Sequence, residues 1–254
     1  MLYIRAQKAR KTFWAVLTDK DEVKVLKKAP YKDLVFSEET YRLSEVKLLA
    51  PCEPTKIVAV GKNYKDHALE MKSSVPDHPI IFIKPATSLN NPEADIVYPE
   101  ASKRVDYEGE LAFVVKKKAH LVKKEKAFDY ILGYTCLNDV TARDIQDLDG
   151  QWTRSKSFDG FAPVGPWVVD GIKPSGLKIE TRLNGEVKQS SKTDKLMWDI
   201  PYLFEFITEC MTLYPGDVVT TGTPSGIGPM QPGDTVEVCI EGIGILRNRI
   251  TKRY

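Results

Sequence analysis

Short apolar runs closed by turn residues recur along the chain, and most are too brief and too β-branched to be helices. Thr12-Phe13-Trp14-Ala15-Val16-Leu17 reads as a strand, Asp19-Lys20-Asp21 as a turn and Glu22-Val23-Lys24-Val25-Leu26 as the returning strand. The run 57–60 stops at Gly61, and 80–83 stops at Lys84-Pro85. Residues 110–115 and 167–169 continue the pattern. Residues 178–183 alternate and end in Asn184-Gly185, a pair suited to a two-residue hairpin. Near the end, 217–220 and 234–238 each follow a Pro-Gly pair. Repeated turn-then-strand units predict a β-dominated α+β fold with a sandwich or barrel-like core.

Two helices are predicted. One covers 64–71. The other starts after Asp199, a capping residue, with Pro201 in its first turn. Its Ile200, Leu203, Phe204, Ile207 and Met211 fall at helical spacing and form a core-facing stripe that stops before Pro215-Gly216. The first fifty residues hold 11 Lys and Arg against 7 Asp and Glu. We read 1–50 as a small β-rich N-terminal domain, Pro51-Cys52-Glu53-Pro54 as a linker and 55–254 as the main domain.

Composition narrows the function. With 254 residues, 42% of them hydrophobic, the chain can bury a sizeable core. A net charge of +2 argues against a protein that chiefly grips nucleic acid, and no aromatic stacking platform accompanies the basic N-terminal region. No apolar run approaches a membrane span, and the start lacks a secretory signal. Cys52, Cys136, Cys210 and Cys239 are scattered, which suggests reduced, mostly buried thiols in a cytoplasmic protein.

Asp106-Tyr107-Glu108-Gly109-Glu110-Leu111 carries the chemistry. On a strand, Glu108 and Glu110 point the same way. Buried like charges need a proton, a base or a cation beside them. Gly109 allows another backbone or a ligand to come close. Asp139, at the end of a second apolar segment, can supply a third carboxylate. Such a hard oxygen set suits Mg²⁺ or Mn²⁺, suits Ca²⁺ less and disfavours zinc. An octahedral ion so held keeps three positions open, two for a 2-oxo acid and one for water.

Several segments together resemble the fumarylacetoacetate hydrolase family. They are Val60-Gly61-Lys62-Asn63-Tyr64 with Asp66-His67 and Glu70, then Phe82-Ile83-Lys84-Pro85 and Tyr107-Glu108-Gly109-Glu110-Leu111. Next come Asn138-Asp139-Val140-Thr141-Ala142-Arg143-Asp144, Lys156-Ser157-Phe158-Asp159 and Thr221-Gly222-Thr223-Pro224-Ser225-Gly226-Ile227-Gly228. The resemblance runs in order from about 55 to 250. It implies a mixed β-roll with few helices, a homodimer, and a role in aromatic catabolism. It further implies that Glu108, Glu110 and Asp139 bind a divalent metal, usually Mg²⁺. Lys156 would reach the bound oxo acid, Thr223 would sit in the loop holding its carboxylate, and His67 with Glu70 would activate water.

These roles are physically reasonable. Cleaving a C–C bond beyond a 2-oxo group leaves an enolate, which a dication stabilises as a Lewis acid, and Lys156 adds positive charge there. His67 and Glu70, three apart on a helix, share a face, so Glu70 can orient the imidazole as a general base. His78 and His120 read as loop and surface residues. Gln146 can hold water or substrate. Arg143 can pair with an acid of the site, with a distal substrate carboxylate, or with Asp144 or Asp147; Lys62 and Lys84 are further candidates for the distal role. The Gly-rich stretch 221–228 lacks the lysine of a phosphate loop. Only five residues separate Gln146 from Trp152, fewer than in some acylpyruvate-cleaving relatives.

The leading expectation is a Mg²⁺-dependent enzyme acting on 2,4-dioxo or 2-hydroxy-dienoate acids by hydrolytic C–C cleavage. Isomerisation of a 2-hydroxyhepta-2,4-diene-1,7-dioate type acid and decarboxylation of oxaloacetate are the alternatives within the same chemistry. A divalent-cation-binding β module without catalysis is the alternative outside it.

Overall fold

The computed structural model describes residues 1–71 and 74–252. Strands dominate and form three sheets. The largest, of twelve strands, begins with an antiparallel meander of Leu2–Lys8, Lys11–Leu17, Glu22–Leu26 and Phe36–Arg42. Leu2–Lys8 also pairs with Ala162–Val169, and the order continues through Ile131–Asn138, Gly109–Val115, Val218–Thr220 and Lys56–Gly61 to Ile80–Pro85. The sheet does not close into a barrel; Phe36–Arg42 and Ile80–Pro85 are its edges. The first fifty residues are therefore hydrogen-bonded into the main sheet. Between them and the next strand, Pro51, Cys52 and Pro54 are buried, and Cys52 packs in one core with Trp14 and Ile57.

A five-stranded sheet runs in the order Glu186–Lys192, Lys178–Leu183, Thr235–Ile240, Gly244–Lys252, Asp95–Tyr98. The predicted hairpin forms here. Asn184 and Gly185 both have positive φ, 52° and 83°, as a twisted two-residue turn requires. A small third sheet joins Thr141–Ala142, Val105–Tyr107 and Gly228–Met230.

Strand Gly109–Val115 is buried along both faces, which explains its unbroken apolar run. Leu111, Phe113 and Val115 pack with Leu203, Phe204 and Ile207 of helix Ile200–Cys210, the Phe113 and Phe204 rings lying 5.9 Å apart. That helix begins where the sequence places it: the Asp199 carboxylate accepts from the Tyr202 N–H, and Pro201 lies in its first turn. Ala112 and Val114 face the opposite core with Trp14, Ile57 and Val164.

Gly109 is where the five-stranded sheet seats on this strand. A Cβ there would lie 2.0 Å from the Thr181 hydroxyl and 3.3 Å from Val238. The close approach expected at this glycine is thus made by side chains of a second sheet.

The first predicted helix forms as Lys65–Glu70, capped at Tyr64. Two short helices, Arg143–Asp149 and Thr153–Lys156, were not anticipated; Gly150, with φ 67°, ends the first. All four cysteines are free. Cys52 and Cys136 are buried, but Cys210 is exposed and Cys239 partly so, which corrects the expectation of mostly buried thiols. Cys210 is the last residue of its helix and lies off the core-facing stripe. Among the described residues no helix is long and apolar enough to cross a membrane.

Gly109→Ala is expected to destabilise the protein by about 1–3 kcal/mol through overpacking. Thr181→Ala in that background should recover part of the loss. Urea unfolding of the four members of this double-mutant cycle measures the coupling; additive losses would show that the two positions do not meet.

Candidate active site and metal centre

Strand register brings the acids together. Glu108 lies between Val105–Tyr107 and Gly109–Val115, and Glu110 is the second residue of the latter. Asp139 directly follows Ile131–Asn138, which pairs with Gly109–Val115 so that Gly109 stands opposite Asn138. The three acids therefore emerge at one end of two adjacent strands. Their ligand oxygens lie within 4.8 Å of one another, and the residues are 4%, 1% and 2% exposed.

Backbone and amide groups lock this end of the sheet. The Asp139 N–H donates to the Glu108 carbonyl at 2.8 Å, and the Glu108 N–H donates to the Asn138 side chain at 2.9 Å. Gln189 accepts from the Gly109 N–H at 2.9 Å and donates to the Thr223 hydroxyl at 2.8 Å and the Pro224 carbonyl at 2.7 Å. Thr223 donates in turn to the Gly109 carbonyl at 2.9 Å. The Gly222 N–H donates to Glu110 Oε2 at 2.7 Å and holds this carboxyl in place.

Three cations offset the acids. The Lys156 ammonium sits 2.7 Å from both Glu108 Oε2 and Asp139 Oδ2. Lys84, fully buried, bonds Asp139 Oδ1 at 2.5 Å and the carbonyls of Phe161 and Val140 at 2.9 and 3.3 Å. Arg143 donates to Glu108, to Gln146 and, at 2.9 Å, to Asp106. Asp106 is completely buried and also receives the Arg104 guanidinium at 2.9 and 3.1 Å.

The acids divide by their partners. Burial pushes Glu108 up, but Lys156 and Arg143 overcome it and hold the carboxyl below the usual range. Burial also drives Glu110, and the neighbouring Asp139 and Glu108 add to it, so that its carboxyl lies well above its ordinary value. Glu110 has no basic partner within ion-pair distance among the described residues. Burial lowers Lys156, yet Asp139 and Glu108 outweigh it and raise the ammonium above the ordinary lysine value. For Lys84 burial wins and the value falls.

Helix Lys65–Glu70 brings His67 to the same place. Its Nδ1 lies 3.1 Å from Glu70 Oε2, and the other Glu70 oxygen accepts from the Gly226 N–H at 3.0 Å. Glu70 thereby ties the helix to the Gly-rich segment. His67 is 5% exposed and, with Lys156, Gln146, Thr223 and the three acids, lines a cavity of about 30 Å³.

Of the residues singled out in the sequence, His67, Glu108, Glu110, Asp139, Arg143, Gln146, Lys156 and Thr223 thus line one cavity, and Glu70 stands behind His67. Lys62 lines it as well, with φ 55° and no ion-pair partner among the described residues. Lys84 is placed differently. Its ammonium is turned to the Asp139 carboxylate and two carbonyls, and it is not among the residues that line the cavity. Arg143 pairs with Glu108 and Asp106, whereas Asp144 is bonded by Ser102 and the Lys103 N–H. His78 and His120 are exposed, as read. Asp106, Asn138 and Gln189 were missed. Asp106 carried a signal, since it shares strand parity with Glu108 and Glu110; Gln189 carried none, lying in a strand of otherwise mostly exposed residues.

The donor set is all carboxylate and suits a hard divalent cation. Asp139, Glu108 and Glu110 would hold it. Lys156 would give up part of its contact with their oxygens.

The family model for the fumarylacetoacetate (FAA) hydrolase C-terminal region matches residues 56–251, and one described as Rv2993c-like, N-terminal, matches 1–51. The uncharacterized protein MJ1656 of Methanocaldococcus jannaschii is 56% identical over 198 residues, 78% of this chain and 84% of that protein. The oxaloacetate tautomerase YisK of Bacillus subtilis is 43% identical over 226 residues, 83% of this chain and 75% of YisK. The crystal structure of 5-carboxymethyl-2-hydroxymuconate delta-isomerase from Mycobacterium smegmatis superposes with a TM-score of 0.94 at 40% identity, covering all of both chains.

Mn²⁺ titration followed by calorimetry should show binding that weakens at least about tenfold in Glu110→Gln and Asp139→Asn. A folded-state carboxyl raised above its unfolded value favours folding below the unfolded value and loses that contribution as pH rises through the folded one. A cation that needs Glu110 ionised reverses the loss. The Tm gain on adding Mn²⁺ is therefore expected to grow with rising pH; a gain that shrinks would contradict the assignment of Glu110 as a ligand.

Proposed function

The chain belongs to the fumarylacetoacetate hydrolase family, and we propose that it is a Mg²⁺-dependent enzyme that interconverts the enol and keto forms of a 2-oxo acid. The observation that carries this reading is the buried acid triad with the Lys156 ammonium against two of its members and His67 across the same cavity. A Mg²⁺ or Mn²⁺ ion held by Glu108, Glu110 and Asp139 would act as a Lewis acid toward the oxygen on which enolate charge develops.

The protein's own groups supply the rest. Lys156 adds a fixed positive charge on the side of Glu108 and Asp139, and being buried it needs no solvent reorganisation to act. His67, its Nδ1 directed to Glu70, turns Nε2 away from Glu70 and offers it to a carbon-bound proton next to the oxo group. Glu70 keeps the ring orientation fixed through its second bond to Gly226. Gln146, whose carbonyl oxygen is engaged by Arg143, has its amide N–H groups left for substrate oxygens. The relatives named as a tautomerase and an isomerase support this order of preference, as does the small cavity.

Hydrolytic C–C cleavage of an acylpyruvate is the second reading, favoured by the rigid His67–Glu70 pair, which is also suited to taking a proton from water. Proton exchange at C3 of oxaloacetate, followed by NMR in D₂O with Mg²⁺, tests the first. It should fall by about 10²–10⁴ in His67→Ala and by about 10²–10³ in Lys156→Met. Incorporation of ¹⁸O from water into a new carboxylate of an acylpyruvate, with no C3 exchange, would establish the second reading instead.

A further inference from the structure

Part of the wall of this cavity is aromatic, formed by Phe82 and Trp152. Trp152 stands between the two short helices, after Gly150 has ended Arg143–Asp149 and just before Thr153–Lys156 begins. Its six-membered ring lies against Gly61 so closely that a Cβ there would be 2.3 and 2.6 Å from Cζ3 and Cη2. Phe82 meets the same ring edge to face, with centroids 5.1 Å apart at 86°. The Lys156 ammonium lies 5.3 Å from the centre of the Phe82 ring. Acids, ammonium, Phe82 and indole thus line one space that holds no more than a few waters.

We propose that Trp152 is the residue that sets substrate length: its indole, seated on Gly61 and Phe82, stops the chain of the acid just beyond the 2-oxo head. This rests on the reading of the site as a 2-oxo acid site and adds to it a limit of about four carbons. A longer acid must move the indole off Gly61. The absence of a side chain at Gly61 is what lets the ring reach that far. The indole is neutral, so the limit is one of shape and applies to monoacids and diacids alike.

The test uses the full-length protein with saturating Mn²⁺ and a series of straight-chain 2-oxo monoacids of three to seven carbons, with dissociation constants measured by calorimetry. In the natural protein affinity should drop at least tenfold once the chain exceeds four carbons. In Trp152→Ala the three-carbon acid should bind within threefold of its natural value, while each added methylene should strengthen binding by about fourfold as it enters the vacated apolar space. Trp152→Phe, a gentler change, should move the cut-off by about one carbon. An unchanged length profile in both variants would overturn the proposal. An equal loss for all lengths would overturn it as well, since Trp152 would then act only by supporting Lys156. Failure of the natural protein to bind any member of the series would instead reject the 2-oxo acid reading itself.

Discussion

Three carboxyl groups held within 4.8 Å of one another and closed off from solvent are the constraint around which this protein is organised. At that spacing and an effective dielectric of about 20, each pair of full charges repels by roughly 3–4 kcal/mol, and desolvating each ion costs on the order of several more. No single partner offsets this. Lys156 serves two of the acids, Lys84 reinforces Asp139 from behind, and Arg143 bridges Glu108 to the buried Asp106. Glu110 is left with a backbone N–H alone, and its raised carboxyl value is the residue of an imbalance that an added dication would remove. A purely structural cation site would have no use for a lysine within 2.7 Å of two ligands. On the proposed reading, Lys156 would supply positive charge beside a bound cation, adding to the cation's own.

Such a cluster persists only on a rigid frame. The pairing of Gly109 with Asn138 decides that Glu108, Glu110 and Asp139 leave the sheet together. The seating of Thr181 and Val238 on Gly109 prevents that end of the strand from relaxing outward. Gln189 then fastens the two: one amide side chain accepts from Gly109 and donates to Thr223 and Pro224, so the five-stranded sheet, the acid-bearing strand and the Gly-rich segment share one hydrogen-bonded junction. The same logic holds the Lys62 backbone in the left-handed region, a conformation that costs a non-glycine residue on the order of 1–3 kcal/mol. Asn63 beside it is pinned by bonds to Trp198 and Thr221.

Strand rhythm, the hairpin at Asn184-Gly185 and the helix capped by Asp199 were legible because each rests on local chemistry. The acid triad was legible in part: parity along a strand predicts that Glu108 and Glu110 share a side, and the end of an apolar run predicts Asp139. Convergence of the three was not derivable from spacing, since it depends on a register between distant strands. Lys84 shows the limit well. Its strand, 80–85, reads as an apolar run to be buried, yet Ile83 is 38% exposed and Lys84 is completely enclosed. An edge strand can turn an inward-pointing charge toward a buried acid, and periodicity cannot tell that inversion from ordinary burial. Of strand 131–138 only the apolar end before Asp139 was legible, because a strand enclosed on both faces shows no alternation.

Residues 143–156 couple the parts that remain. Arg143 and Gln146 stand at one end of this stretch and Lys156 at the other, with Trp152 between them. The Trp152 carbonyl accepts from the Lys156 N–H at 3.0 Å and the Ser155 hydroxyl at 2.9 Å, so the Lys156 main chain is tied to a residue whose ring lines the same cavity. On the proposed reading, an acid that presses on the indole would press through that short helix on Lys156. Its binding energy would then go into loosening two 2.7 Å contacts instead of into charge stabilisation. On the same reading, fit at the wall and electrostatics at Lys156 would be joined through this short helix. A misfit of even an ångström at the wall is enough to weaken the chemistry without touching any group that performs it.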